Sequence, residues 1–243
     1  MRKIGIHIEK SGSGKTTTAG NVGFELSKRG RTILVHCDPQ GNLSSWYVTT
    51  PISFDLSDVL QGRAKLEAAI VQVRPGLDLL PTIEIDGDLK RWAESSPVQF
   101  DRAFGALVRE IEALGYGYAL FDLSPGISSL ERSVLAQVDE IIGVVKAEYF
   151  SFDGIEVFRS EIERLCAEYR VSPASSRLVV NMISHLTLHD TYRAQLQAMD
   201  FELFDVHNSV RVAETPTLHL AIAEHEPEGR AAAEFRALAE ALP

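Results

Sequence analysis

The chain is expected to fold as an α/β domain, a mostly parallel twisted sheet with helices on both faces. Three observations predict this. Apolar strand-like runs alternate with helix-like stretches, the first run opens into a glycine-serine loop and a helix, and 243 residues with 45% hydrophobic content can bury a sizeable core. A single domain over residues 1–243 is expected.

The strand-like runs are KIGIHI (3–8), TILVHC (32–37), LDLLP (77–81), YALFDL (118–123), EIIGVVK (140–146) and RLVVNMI (177–183). Between them, Ala19–Arg29, Phe100–Ala113 and Ile155–Tyr169 carry apolar residues at helical spacing. The stretches Asp38–Pro51 and Pro81–Pro97 lose that period and are rich in Pro, Gly and Ser, so they read as loops that move or respond to a ligand. No internal repeat, low-complexity tract or inter-domain linker interrupts the series.

Charge and composition narrow the classes of partner. The formal net charge is -10, which opposes non-specific attraction to DNA phosphates or anionic lipid, so any polyanion site must be a local basic patch. No uninterrupted apolar run approaches membrane-spanning length, and the N-terminus reads as a strand rather than a cleavable leader. A cytoplasmic location is expected. Cys37 lies in an apolar run and Cys166 on a helix-like stretch, without neighbours at metal-ligand spacing, and both read as inert thiols.

The segment IEKSGSGKTTT (8–18) follows the first strand and opens the first helix, the context a phosphate-binding loop requires. Gly12 and Gly14 let the backbone curl around an anion, Lys15 pairs with phosphate oxygens, and the Thr16 hydroxyl can ligate Mg2+. The strict G-x-x-x-x-G-K-[ST] pattern fails, because Glu9 stands where its first glycine belongs. A second lysine, Lys10, needs its own account.

Lys10-Ser11-Gly12-Ser13-Gly14-Lys15-Thr16-Thr17 resembles the deviant phosphate loop of the ParA/MinD family of dimeric P-loop ATPases, nearest to its short, Soj-like partition members. The resemblance implies that Lys15 serves the ATP of its own subunit while Lys10 reaches the phosphates held by the partner of an ATP-bound homodimer. VHCDPQGN (35–42) resembles the family's first switch: Asp38 would orient or activate the attacking water and help order Mg2+, and Gln40 and Gly41 would respond to the γ-phosphate. In YALFDLSPG (118–126), Asp122 would hold Mg2+ and Ser124-Pro125 would form the second switch turn. Asn181 stands where the family places an asparagine on adenine, and Pro216, with the loop near Glu214, would flank the base. Arg211, and Arg193 upstream of it, are the candidate DNA contacts.

ATP and Mg2+ are thus the implied cofactors. The implied activity is slow, partner-stimulated ATP hydrolysis that releases the dimer from nucleoid DNA and so segregates or positions a plasmid, chromosome or other cargo. A ParB-like or other activating protein is the implied partner. The C-terminal EGRAAAEFRALAEALP alternates arginine with glutamate and reads as a helix packed on the domain, not a membrane anchor. Three departures stand out: Ser11 replaces a loop glycine, His36 replaces a common aspartate, and the chain starts at its first strand, without the N-terminal DNA-binding extension of larger relatives. Other readings of the same motifs are a MinD-like or polar-localisation ATPase, a metabolic ligase of the dethiobiotin-synthetase type, and a nucleotide-bound scaffold that does not hydrolyse.

Overall fold

The apolar runs pair side by side into one eight-stranded sheet. The computed structural model describes residues 1–8, 10–39, 42–83, 88–146, 151–184 and 193–243, with the backbone alone at 88 and 151–154. The strands are β1 (Arg2–His7), β2 (Thr32–His36), β3 (Val71–Arg74), β4 (Leu77–Leu80), β5 (Tyr118–Asp122), β6 (Glu140–Lys146), β7 (Ala174–Ile183) and β8 (Glu202–His207). Their spatial order is β3-β4-β2-β5-β1-β6-β7-β8, parallel throughout except for the β3–β4 hairpin.

Helices cover both faces. On one, α3 (Leu56–Leu60), α4 (Leu66–Ala69), α5 (Asp88–Ser95), α6 (Pro97–Ala113), α7 (Ser129–Leu135) and α8 (Ser151–Tyr169) bury residues such as Phe100, Phe104, Leu130 and Phe158. On the other, α1 (Lys15–Ser27), α2 (Asn42–Tyr47), α10 (Ile222–His225) and α11 (Arg230–Ala241) close over Ile4, Ile6, Leu34 and Leu120. Helix α9 (Val210–Leu218) follows β8. Phe235, Leu238 and Leu242 of the C-terminal segment are buried in this second core, so its apolar face is used for packing.

The two expected loops are corrected in part. Asp38–Pro51 contains α2 and Pro81–Pro97 contains α5. A helix of six to eight residues shows too few turns for a period to emerge, and both are fixed by tertiary contacts. Leu43, Trp46 and Tyr47 are buried, the Trp46 indole N–H donates to the Leu220 carbonyl at 2.9 Å, and Leu89 and Ala93 enter the opposite core. Two edge strands, β3 and β8, are also additions. Pro75-Gly76, with Gly76 at φ 76°, turns the β3–β4 hairpin and was the available signal for β3.

The register positions the functional edge. Ile6 and His36 both lie opposite Asp122, from the two strands that flank β5. The loops leaving β1, β2 and β5 therefore rise together from the carboxyl edge, where open α/β sheets bind ligands.

Helix α1 lies close under this edge. A Cβ built on Gly20 would stand 2.4 Å from Trp46 Cζ3, so α1 and α2 meet with no room for a methyl group. Gly20→Ala is expected to lower the urea midpoint by the equivalent of about 1–3 kcal/mol, the usual effect of overpacking, with an unchanged m-value.

Candidate functional site

A cavity of about 580 Å3 opens at the carboxyl edge, lined by Ser11 to Thr16, Asp38, Pro39, Asn42, Lys90, Ser124 and Pro125. The loop beneath it turns on two left-handed glycines, Gly12 at φ 67° and Gly14 at φ 98°. Ser11 is not among the positive-φ residues, so serine replaces glycine there without backbone strain. Thr18 N–H donates to the Gly14 carbonyl at 2.9 Å, which starts α1 directly behind the loop. A helix N-terminus whose first N–H groups lack intrahelical acceptors is a ready anion site.

Lys15 is only 6% exposed. Burial pushes its ammonium pKa down, while the nearby charges of Asp122, Asp38 and Glu131 push it up. Its Nζ donates to the Lys10 carbonyl at 3.2 Å, so the side chain folds back over its own loop. Lys10 itself is exposed at the loop entrance.

Asp122 is fully buried at the end of β5, and neither carboxylate oxygen has a hydrogen-bond partner. Its pKa is pushed up to about 7, chiefly by burial and further by the Asp38 charge. The Thr16 hydroxyl and Lys15 act in the other direction. Thr16 thus stands near the carboxylate without completing a hydrogen bond to it. Two orphaned oxygens, a hydroxyl and a second carboxylate suit a hard, oxygen-seeking cation such as Mg2+. Among the described residues no three His, Cys, Asp or Glu side chains gather as a metal cluster.

His36 occupies the end of β2 as a fully buried imidazole. Its Nδ1 is 2.8 Å from Ser44 Oγ, which also accepts the Thr82 N–H at 2.9 Å. In place of the expected acidic side chain, the chain has a neutral group that ties β2 to α2. Cys37 is buried and its thiol is pushed well above the ordinary range, first by burial and then by Asp122, Glu131 and Asp38. Both cysteines are free thiols.

Ser124-Pro125 borders the cavity as expected. The buried Glu131 carboxylate accepts the hydroxyls of Ser124 and Ser128 and, at 2.9 Å, the Ser128 N–H. One side chain therefore joins both ends of the 124–128 turn. Sequence reading missed Glu131, although Ser128-x-x-Glu131 has the form of a capping box. It also missed Lys90, whose helix carries no motif, and gave no separate role to Asn42, the last residue of the VHCDPQGN segment.

The other expected residues lie apart from the cavity lining. Thr17 is inside α1, where its carbonyl accepts Asn21 Nδ2 at 2.9 Å. Asn181 ends the interior part of β7 and touches the back of the loop, its Nδ2 donating to the Ser13 carbonyl at 2.7 Å. Pro216 and Glu214 sit in helix α9, not in a loop. Thr215 Oγ1 donates to the Val212 carbonyl at 2.7 Å, supplying the bond that Pro216, lacking an N–H, cannot make. Arg193 pairs with Asp205 at 2.8 Å and Arg211 with Glu214 at 3.2 Å. Gln40 and Gly41 lie outside the described residues.

His7 and His36 share an electrostatic signature. Burial pushes both pKa values down to about 3, with Lys15 adding to the effect at His7 and a Thr82 backbone hydrogen bond opposing it at His36. As pH falls from about 6.5 toward 3, the unfolded chain takes up protons that the folded chain refuses, so stability falls. Chemical denaturation between pH 7 and 4 is expected to show this decline, and His36→Asn to make it shallower.

Comparison with known proteins gives concordant results. Residues 1–173 match the protein family described as an AAA domain. The chromosome-partitioning ATPase Soj of Thermus thermophilus is 31% identical over 246 residues, covering 99% of this chain and 94% of that protein. Among solved structures, an ATP complex of a variant of Cyanothece McdA aligns with a TM-score of 0.87 at 16% identity, covering 100% of this chain and 96% of the other. The septum site-determining protein MinD of Pyrococcus horikoshii, complexed with Mg-ADP, aligns at 0.81 and 23% identity, covering 98% and 94%. These two share the fold.

Proposed function

The chain belongs to the ParA/MinD family of P-loop ATPases, and we propose that it works there as an ATP-dependent dimeric switch that binds DNA non-specifically and positions a cargo. The observation that carries this reading is the convergence of Lys15, Thr16, Asp38 and the unpartnered Asp122 carboxylate on one cavity edge. Lys15 and the loop N–H groups bind phosphates, and Thr16, Asp38 and Asp122 would hold Mg2+, which would supply charge neutralisation. Asp38, a buried residue of the cavity lining, orients the water that attacks the terminal phosphate. Pro216 is the candidate contact for the base, the Asn181 amide being engaged with the phosphate loop and with its own strand instead.

Lys10 is assigned to the partner subunit's nucleotide. Its exposure at the loop entrance supports this, because a cation supplied in trans must be able to leave its own surface. Hydrolysis is slow until a ParB-like or other activating protein engages the dimer, and the protein is cytoplasmic and nucleoid-associated. Arg211 and Arg193 supply the basic contacts to DNA in an otherwise acidic chain. Their present ion pairs are at least partly exposed, are worth at most about 1 kcal/mol and yield readily to a phosphate.

A MinD-like membrane role has less support, since the apolar face of α11 is buried in the core. Sedimentation of the wild type is expected to give a dimer with ATP or a non-hydrolysable analogue, and a monomer with ADP. Only the dimer is retained on non-specific DNA. Lys10→Ala should bind ATP yet stay monomeric, whereas Lys15→Ala should lose ATP affinity by roughly tenfold or more. A nucleotide-indifferent monomer that ignores DNA would return the chain to a metabolic or scaffold role. Retention on anionic vesicles instead of DNA would favour the membrane-surface reading.

A further inference from the structure

Asn181 is only 4% exposed, and its carboxamide is engaged at both ends. Nδ2 donates to the Ser13 carbonyl at 2.7 Å, and Oδ1 accepts the Met182 N–H at 2.9 Å. These partners fix the orientation of the amide: flipped, its oxygen would face the Ser13 carbonyl and its NH2 group the Met182 N–H, and both bonds would be lost.

The surrounding backbone is built around this contact. Met182 is left-handed at φ 57°, a costly conformation for a side chain of its size, and the β7–β8 register shifts between Val180 and Ile183. The bond from Met182 N–H to Oδ1 holds that irregular end of the strand in place. On the loop side, a Cβ at Gly14 would lie 2.0 Å from Asn181 Nδ2, so the loop approaches the amide as closely as a glycine permits. The Ser13 carbonyl is thereby pinned toward β7. A carbonyl free to rotate into the cavity would instead present its negative end to an anion.

We infer that Asn181 is a positioning residue that clamps the phosphate loop from β7, so that its contribution to binding falls on the phosphates rather than on the base. The inference rests on the nucleotide reading proposed above, but differs from it in what it forbids. A group that contacts only adenine cannot influence a ligand that lacks adenine, whereas a clamp on the loop must.

The test is calorimetric titration of wild type, Asn181→Ala and Asn181→Asp with ATP and, separately, with inorganic triphosphate, each with Mg2+. Loss of the clamp is expected to weaken both ligands by the same factor, roughly three- to tenfold, the net value of one buried hydrogen bond. Asn181→Asp should be the weaker binder, because its carboxylate faces the Ser13 carbonyl. In ligand-free protein, amide hydrogen exchange at residues 12–15 should quicken while the melting of the far edge, β3 and β4, is unchanged. Asn181→Ser retains a short donor and serves if the alanine variant does not fold. Weakened ATP binding with unaltered triphosphate binding would overturn the inference in favour of a base contact, and unaltered binding of both would overturn it by showing that the amide contributes to neither. A wild type that binds neither ligand would bring down the nucleotide reading together with the clamp.

Discussion

A single buried cation organises the carboxyl edge of this sheet. Lys15 is nearly inaccessible, and an ammonium removed from water is tolerated only where other groups replace its hydration. The Lys10 carbonyl supplies one such group, and the carboxylates of Asp122, Asp38 and Glu131 supply the field. The three carboxylates come from β5, from the end of β2 and from α7, so strand register is itself an electrostatic requirement. Had β5 slipped by one residue against β1, Asp122 would point to the other face. The acids outnumber the cation, and the raised pKa of Asp122 relieves part of that excess.

Around this centre the chain uses different devices on its two flanks. On the β5 side, Glu131 gathers Ser124 and Ser128 into one hydrogen-bonded turn. On the β7 side, the Asn181 amide holds the loop's backbone. Both act through side chains that do not line the cavity, so the shape presented to a ligand is governed from behind.

What could be read in advance follows from the same physics. The interior strands were legible because a parallel strand buried on both faces leaves an apolar run, and the loop was legible because anion binding restricts its residues. Edge strand β8 was not, since Glu202 is exposed, Leu203, Phe204 and Asp205 are only partly buried, and the run mixes polar with apolar character. Helices α2 and α5 depend on distant contacts such as Trp46 with Leu220, which no local window contains. Lys15, Thr16, Asp38 and Asp122, read from three separate motifs, lie within electrostatic reach of one another at one edge. The work of Asn181 was hidden, because it depends on where β7 stops relative to a loop 168 residues earlier. Pro216 sits in a helix because the Thr215 hydroxyl makes good the missing backbone bond, a compensation that a proline signal does not reveal.

The long reach of these contacts bears on how the molecule is made. Ser13 is tied to Asn181, Asn21 Oδ1 accepts the Ile222 N–H 201 residues away, and Arg29 Nη1 donates to the Leu242 carbonyl across 213 residues. A ribosome releases the loop well before the residue that holds it, 168 positions later. The emerging chain therefore carries an anion-binding sequence long before it has an anion-binding shape. Contacts of such sequence separation also close slowly. Competence to grip a ligand is in this way postponed until the sheet is complete, and a truncated product would lack the grip while keeping the motif.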